Sequence, residues 1–266
     1  MPRETYPKEV VGLYYAKAHK VAQISIKAKI MPKPGILATF ARTLANAGIR
    51  IVALNFTSEN DRRYIAAFID LSHAKEPLSK VIRTIKSFDF VEEVKVASPI
   101  VEGLIVDQHS YPITMLGGRV QAMILPRRLL SGVFAGLRRD IGPPAWALAY
   151  NEGLLLGEEL AKSLKKMLEA SPREYLKIMA KFYTALGWGR VTDADFDTRS
   201  RRGYVEIEDN FEVEAYGTWG EPVCHYTRGV IAGVVTEIVG GHFLVTETHC
   251  RAKGDSRCKF IIRYLT

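Results

Sequence analysis

The 266-residue chain is poor in cysteine. It holds three, Cys224, Cys250 and Cys258, and none in the first 223 positions. Three thiols leave one over from any disulfide scheme, and they leave no spare set for an iron–sulfur cluster. The chain also lacks any apolar run near the ~20 residues of a membrane-spanning helix. Its start, MPRETYPKEVVGLYY, has no charged stretch leading into an apolar core, so no secretory signal is expected and the cytoplasm is the default compartment. Thiols stay reduced there, and clustered cysteines more often hold metal than pair with one another. A glycine-rich dinucleotide fingerprint is missing, which weighs against catalysis of a reduction by this chain alone. Helix-turn-helix patterning, zinc-finger spacing with paired histidines and an aromatic-rich RNA-binding motif are missing too. The net charge of +8 is scattered in pairs such as Arg127-Arg128, Arg138-Arg139 and Arg201-Arg202. Acidic residues follow the last pair in RSRRGYVEIEDNFEVE, so the charge reads as a solvated surface and not as a nucleic-acid face.

What remains is a globular composition, 47% hydrophobic and 25% charged, at a length comfortable for two domains. In AQISIKAKI, Ala22, Ile24, Ile26, Ala28 and Ile30 alternate with polar residues, as in a strand with one buried face. Pro34-Gly35 ends it and opens a helix whose stripe is Ile36, Leu37, Phe40, Ala41 and Leu44, stopped at Gly48. Strands are expected at IRIVALNFTS and YIAAFIDLS, a helix around Leu78, Val81, Ile82 and Ile85, and a strand at VEEVKVAS. The order βαββαβ is the split, ferredoxin-like arrangement. With Pro34-Gly35 before the first helix and LANAGIRI at its end, residues 21–99 resemble an ACT domain, and residues 1–99 are taken as the first domain. The resemblance implies a regulatory module that binds an amino acid where copies meet, or a scaffold that pairs subunits as a homodimer. Pro32 stands where the family has an acidic residue, and both readings stay open.

Residues 100–266 form the second expected domain. A linker with a short strand leads into helices at PRRLLSGVFAGLRRDIG, AWALAYNEGLLLGEELAKSLKKML and SPREYLKIMAKFYTALGWG. The last of these opens with a capping-box pattern at Ser171, Pro172 and Glu174. Strands are expected across RGYVEIEDNFEVEAYG, a helix across EPVCHYTRGVIAGVVTEIVGG, and a hairpin from HFLVTETHC to CKFIIRYL turning at Gly254-Asp255. Tyr150-x-x-Gly153-x-x-x-Gly157 and Tyr226-x-x-Gly229-x-x-x-Gly233 share one form, both on expected helices. Glycine inside a helix costs about 1 kcal/mol against alanine. These six residues are therefore candidates either for tight helix packing or for lining a ligand cavity.

The three cysteines fall in one window, with Glu247 three residues ahead of Cys250. Cys224 lies at a helix start, and Glu247, Cys250 and Cys258 lie at the ends of two hairpin strands. Three thiolates and a carboxylate could converge there, a donor set that favours zinc in a closed, structural site. Arg251, Lys253, Arg257 and Lys259 could offset its charge of about −2. The spacing is not a standard zinc pattern, and three thiols buried as small hydrophobes is the alternative.

CHYTRGVIAG followed by ETHCRAKGDSRCKF resembles the 4-vinyl-reductase domain, which also forms the sensor of phenol-responsive bacterial transcription activators. That resemblance implies a zinc held by Cys224, Glu247, Cys250 and Cys258, spaced 23, 3 and 8 residues apart. It also implies a hydrocarbon-binding cavity in which a His and a Trp hold a small aromatic molecule; Trp146, Trp188, Trp219, His225 and His249 are the candidates by type. The expected whole is an α+β, two-domain sensor or regulatory protein of the cytoplasm. An accessory subunit of a reductase acting on a vinyl or aromatic substrate is the alternative.

Overall fold

The computed structural model describes residues 10, 12–17, 19–30 and 35–265. The chain divides into two compact units, Met1–Met123 and Ile124–Thr266. Pro32 and Pro34 lie outside the described residues.

The first unit contains β1 (Leu13–Tyr15), β2 (Val21–Lys29), α1 (Ile36–Asn46), β3 (Arg50–Glu59), β4 (Arg62–Asp70), α2 (Leu78–Lys86), β5 (Val91–Ala97), β6 (Leu104–Val106), β7 (Thr114–Met115) and β8 (Val120–Gln121). Four of these make an antiparallel sheet in the order β3-β4-β2-β5. The period-2 face Ala22, Ile24, Ile26 and Ala28 packs against Ile36, Phe40 and Leu44 of α1 and Val81 and Ile85 of α2. Each of the larger side chains buried there contributes roughly 1.5–3 kcal/mol. The expected βαββαβ order is thus present, with one correction at its end. The unit runs past residue 99, because β1 pairs with β6 and the opposite face of β2 holds the following loop. Gln23, fully buried, donates to Asp107 Oδ1 at 2.6 Å and accepts from the Gln108 backbone at 3.0 Å.

The second unit contains α3 (Arg127–Ile141), α4 (Pro144–Met167), α5 (Pro172–Ala185), β9 (Arg190–Asp197), β10 (Arg202–Glu208), α6 (His225–Val239), β11 (His242–His249) and β12 (Cys258–Leu265). The sheet order is β11-β12-β10-β9, antiparallel throughout. The capping box forms: Ser171 Oγ accepts from the Glu174 backbone, and the Glu174 carboxylate accepts from the Ser171 backbone. Among the described residues, no helix is long and apolar enough to cross a membrane.

Two expectations are corrected here. The strand region across 202–217 ends at Glu208, since Asp209 takes a left-handed φ of 53° and Phe211–Val213 form a 3-10 turn. The turn lets Glu212 reach the start of α6, a partner no strand geometry would offer. The edge strand β9, RVTDADFD, is not expected from the sequence, because its three aspartates hide the apolar positions Val191 and Phe196.

Gly153, Gly157, Gly229 and Gly233 bring α4 and α6 together backbone to backbone. A Cβ on Gly153 would lie 2.1 Å from the Tyr226 carbonyl oxygen, and one on Gly229 would lie 2.0 Å from that of Tyr150. Gly157 meets Val230 and Gly233 meets Leu154 in the same way, at 2.3 and 2.1 Å. Both sets step forward by four residues together, so the helices run in the same direction. These four glycines serve helix packing.

Candidate functional site

Cys224 is the residue before α6, Glu247 lies in β11, Cys250 follows β11, and Cys258 opens β12. All four are buried. One ligand atom from each lies within 4.8 Å of the others. The Cys224 sulfur is 3.9 Å from that of Cys250 and 3.6 Å from that of Cys258. Disulfide sulfurs would be about 2.05 Å apart, whereas sulfurs around one tetrahedral zinc are about 3.8 Å apart. Glu247 Oε2 accepts from the Cys224 backbone N–H at 3.0 Å. Its Oε1 is buried without a protein partner. An orphaned carboxylate oxygen beside three free thiols is a donor set that fits a thiophilic cation. Burial pushes the Cys224 thiol well above its usual range. Burial, reinforced by the Cys250 sulfur, raises Glu247 to about 9. Without a cation, those protons are held; a metal would have to displace them.

The basic residues near the cluster do not compensate it as expected. Arg257 and Lys259 both pair with Glu206, at 2.7 and 2.9 Å, and Arg251 faces Asp209 at 3.8 Å. The start of α6 instead supplies partial positive charge. Glu212, 1% exposed, accepts from the Tyr226 and Thr227 backbone N–H groups at 2.8 Å each. Burial raises its carboxyl to about 7 despite those two donors. Tyr183, Asn210 and Thr227 complete a buried polar network beside it. Nothing in the acid-rich stretch EIEDNFEVE distinguishes Glu212 from its solvated neighbours.

A cavity of about 740 Å³ lies between α5, α6 and the β9 edge of the sheet. Leu176, Tyr183, Trp188, Val230, Val234 and Ile262 are among its mostly apolar lining, with Arg173, Lys177 and Lys181 of α5 also bordering it. Trp188 is the one tryptophan candidate in that lining, edge-on to Tyr183 at 5.4 Å. Trp146 and His225 stack on each other elsewhere, at 4.5 Å, while Trp219 and His249 are exposed. Tyr150, Tyr226 and the four helix glycines do not line this cavity. It is the opposite side of α6, carrying Val230, Ile231, Val234 and Val235, that does.

Residues 204–264, which hold all four cluster residues, match the 4-vinyl-reductase domain family. An uncharacterized protein of Methanocaldococcus jannaschii is 27% identical over 130 residues, 49% of this chain and 71% of that relative. Among solved structures, the phenol-responsive sensory domain of the transcription activator PoxR, crystallised with phenol, is 24% identical. That match covers 56% of this chain and 79% of that one, with a TM-score of 0.49. A vinyl-4-reductase family protein from Methanocaldococcus jannaschii is 20% identical, covering 55% and 85%, with a TM-score of 0.39.

Proposed function

We propose that this chain is a ligand-binding regulatory or sensor protein. Its second unit encloses a small hydrophobic or aromatic molecule, and one structural zinc ion held by Cys224, Glu247, Cys250 and Cys258 braces the fold around it. The observation that carries the reading is the apolar cavity against α6, the helix whose first turn begins at the thiol cluster. Its volume falls within the roughly 300–1,000 Å³ of small-molecule sites. Four protein donors leave no open position for catalysis, so the metal's chemistry here is to tie the helix start to the hairpin. The ACT-like first unit would pair subunits into a homodimer or take a second ligand such as an amino acid. No feature of the site calls for nucleic acid.

Native mass spectrometry of the purified chain tests this directly, reporting metal, subunit count and any retained small molecule together. One zinc per chain, a dimer and a thermal shift with phenols, terpenoids or fatty compounds are expected. A 29.8 kDa species without metal that no such compound stabilises would overturn the reading.

A further inference from the structure

Seven buried side-chain N or O atoms lack a hydrogen-bond partner among the described residues, and five of them gather around one place. They are Nε of Arg138 and of Arg228, Nε1 of Trp146, and both ring nitrogens of His225. The Pro222 carbonyl comes near that imidazole without reaching hydrogen-bond geometry. Buried polar atoms are nearly always paired, so such a concentration calls for an explanation. The place is a second pocket of about 340 Å³, lined by Trp146, Tyr150, Asn151, His225 and Arg228 with Ala147. It shares no lining residue with the apolar cavity. Its chemistry is also opposite. Arginine and tryptophan nitrogens only donate. Arg228 has no carboxylate within ion-pair distance among the described residues, and lies 5.3 Å over the Tyr150 ring. Arg138 stacks on Trp146 at 4.1 Å, with its nearest acid, Glu221, at 4.0 Å.

We propose that this pocket, at the start of α6, binds a small oxyanion-bearing ligand, carboxylate or phosphate. Arg228 receives the charge and Trp146 Nε1 donates to it, while Arg138 and His225 hold the indole from its two neighbours. A guanidinium with no acid beside it and a donor-rich wall suit an anion better than the neutral apolar guest of the larger cavity. The inference goes beyond the proposed function and does not depend on it.

The test is calorimetric titration of the full chain with inorganic phosphate, with benzoate, and with benzyl alcohol as the neutral counterpart. Saturable binding of either anion is expected, weakening as salt is added. Binding of benzoate alone assigns a carboxylate, phosphate alone a phosphate, and both an undiscriminating oxyanion site. Arg228→Gln should weaken that binding at least about tenfold, the loss of one charge-assisted contact, and Arg228→Lys should restore part of it. Asn151 is exposed, so Asn151→Glu tests the same charge logic without disturbing the core. Metal content and melting temperature identify any variant that has lost its fold. Neither anion binding, or binding that survives both Arg228→Gln and Asn151→Glu, would overturn the proposal; so would parallel loss of benzyl alcohol binding in folded variants.

Discussion

One substitution made at two places should have opposite signs. At Gly229, an added Cβ lies 2.0 Å from the Tyr150 carbonyl oxygen and 2.8 Å from the Leu154 nitrogen. Ordinary contacts need about 3.5 Å, so α4 and α6 must part by about an ångström or more. Both obstructing atoms are backbone within a helix, and no rotamer change can relieve them. Overpacking costs roughly 1–3 kcal/mol and sometimes more, while alanine recovers about 1 kcal/mol of helix propensity. Gly229→Ala should therefore destabilise the second unit by about 2 kcal/mol. At Gly132, inside α3, an added Cβ meets nothing within 4 Å, so Gly132→Ala should stabilise by about 0.5–1 kcal/mol. All three tryptophans, Trp146, Trp188 and Trp219, lie in the second unit, so urea unfolding followed by tryptophan fluorescence reports on that unit. Zinc must be kept saturating. A Gly229→Ala protein at least as stable as the parent, or a Gly132→Ala protein destabilised to the same degree, would refute the packing argument.

Elemental analysis should find one zinc per parent chain and far less in Cys250→Ser, with a sharp drop in melting temperature; Glu247→Gln should weaken binding less, because an amide oxygen still coordinates but carries no charge. Metal contributes up to roughly 10–16 kcal/mol in zinc peptides, and the apolar core should make the effect smaller here; full stability in strong chelator would contradict it. Val234→Phe, on the cavity wall, should abolish ligand-induced thermal shifts while leaving zinc content unchanged. Burial alone would raise the Asp70 carboxyl, but bonds from Ser72, His19 and Arg50 outweigh it and hold Asp70 well below the usual carboxylate range. A depressed folded value means stability that is present above the unfolded value of about 3.8 and lost as pH falls below it. Asp70→Asn should accordingly be less stable than the parent near pH 7 by far-UV circular dichroism, with the gap closing towards pH 2; a gap that does not change with pH would contradict this.

The sequence was most informative where one physical rule acted alone. Ala22, Ile24, Ile26 and Ala28 alternate because one sheet face meets α1 and α2, and a period of two is readable without knowing the partner. The cluster was readable for a related reason. Few cysteines, set at the ends of hairpin strands, leave few ways to converge. Where two rules competed, the sequence was ambiguous. The paired Tyr-x-x-Gly-x-x-x-Gly pattern marks a close approach but does not name what approaches, and only the geometry shows that it is the other helix. Glu212 was unreadable for a third reason. Its partners are backbone N–H groups of Tyr226 and Thr227, and backbone donors leave no trace in side-chain identity.

Helix α6 explains why these features share one unit. Its glycine face lies against α4 too closely to admit any side chain. Its valine face, Val230 and Val234, is thereby left to line the cavity. Its first turn begins at Cys224 and is held by two carboxylates from different elements, Glu212 and Glu247. A helix fixed on one side and at its start has little freedom to slide or rotate. Its exposed degree of freedom is the valine face, where an apolar guest would add contacts and an empty cavity would leave them unmade. The same rigidity gives the thiol cluster a reason to be structural: it anchors the end of the helix from which both pockets are built, without lying in the lining of either.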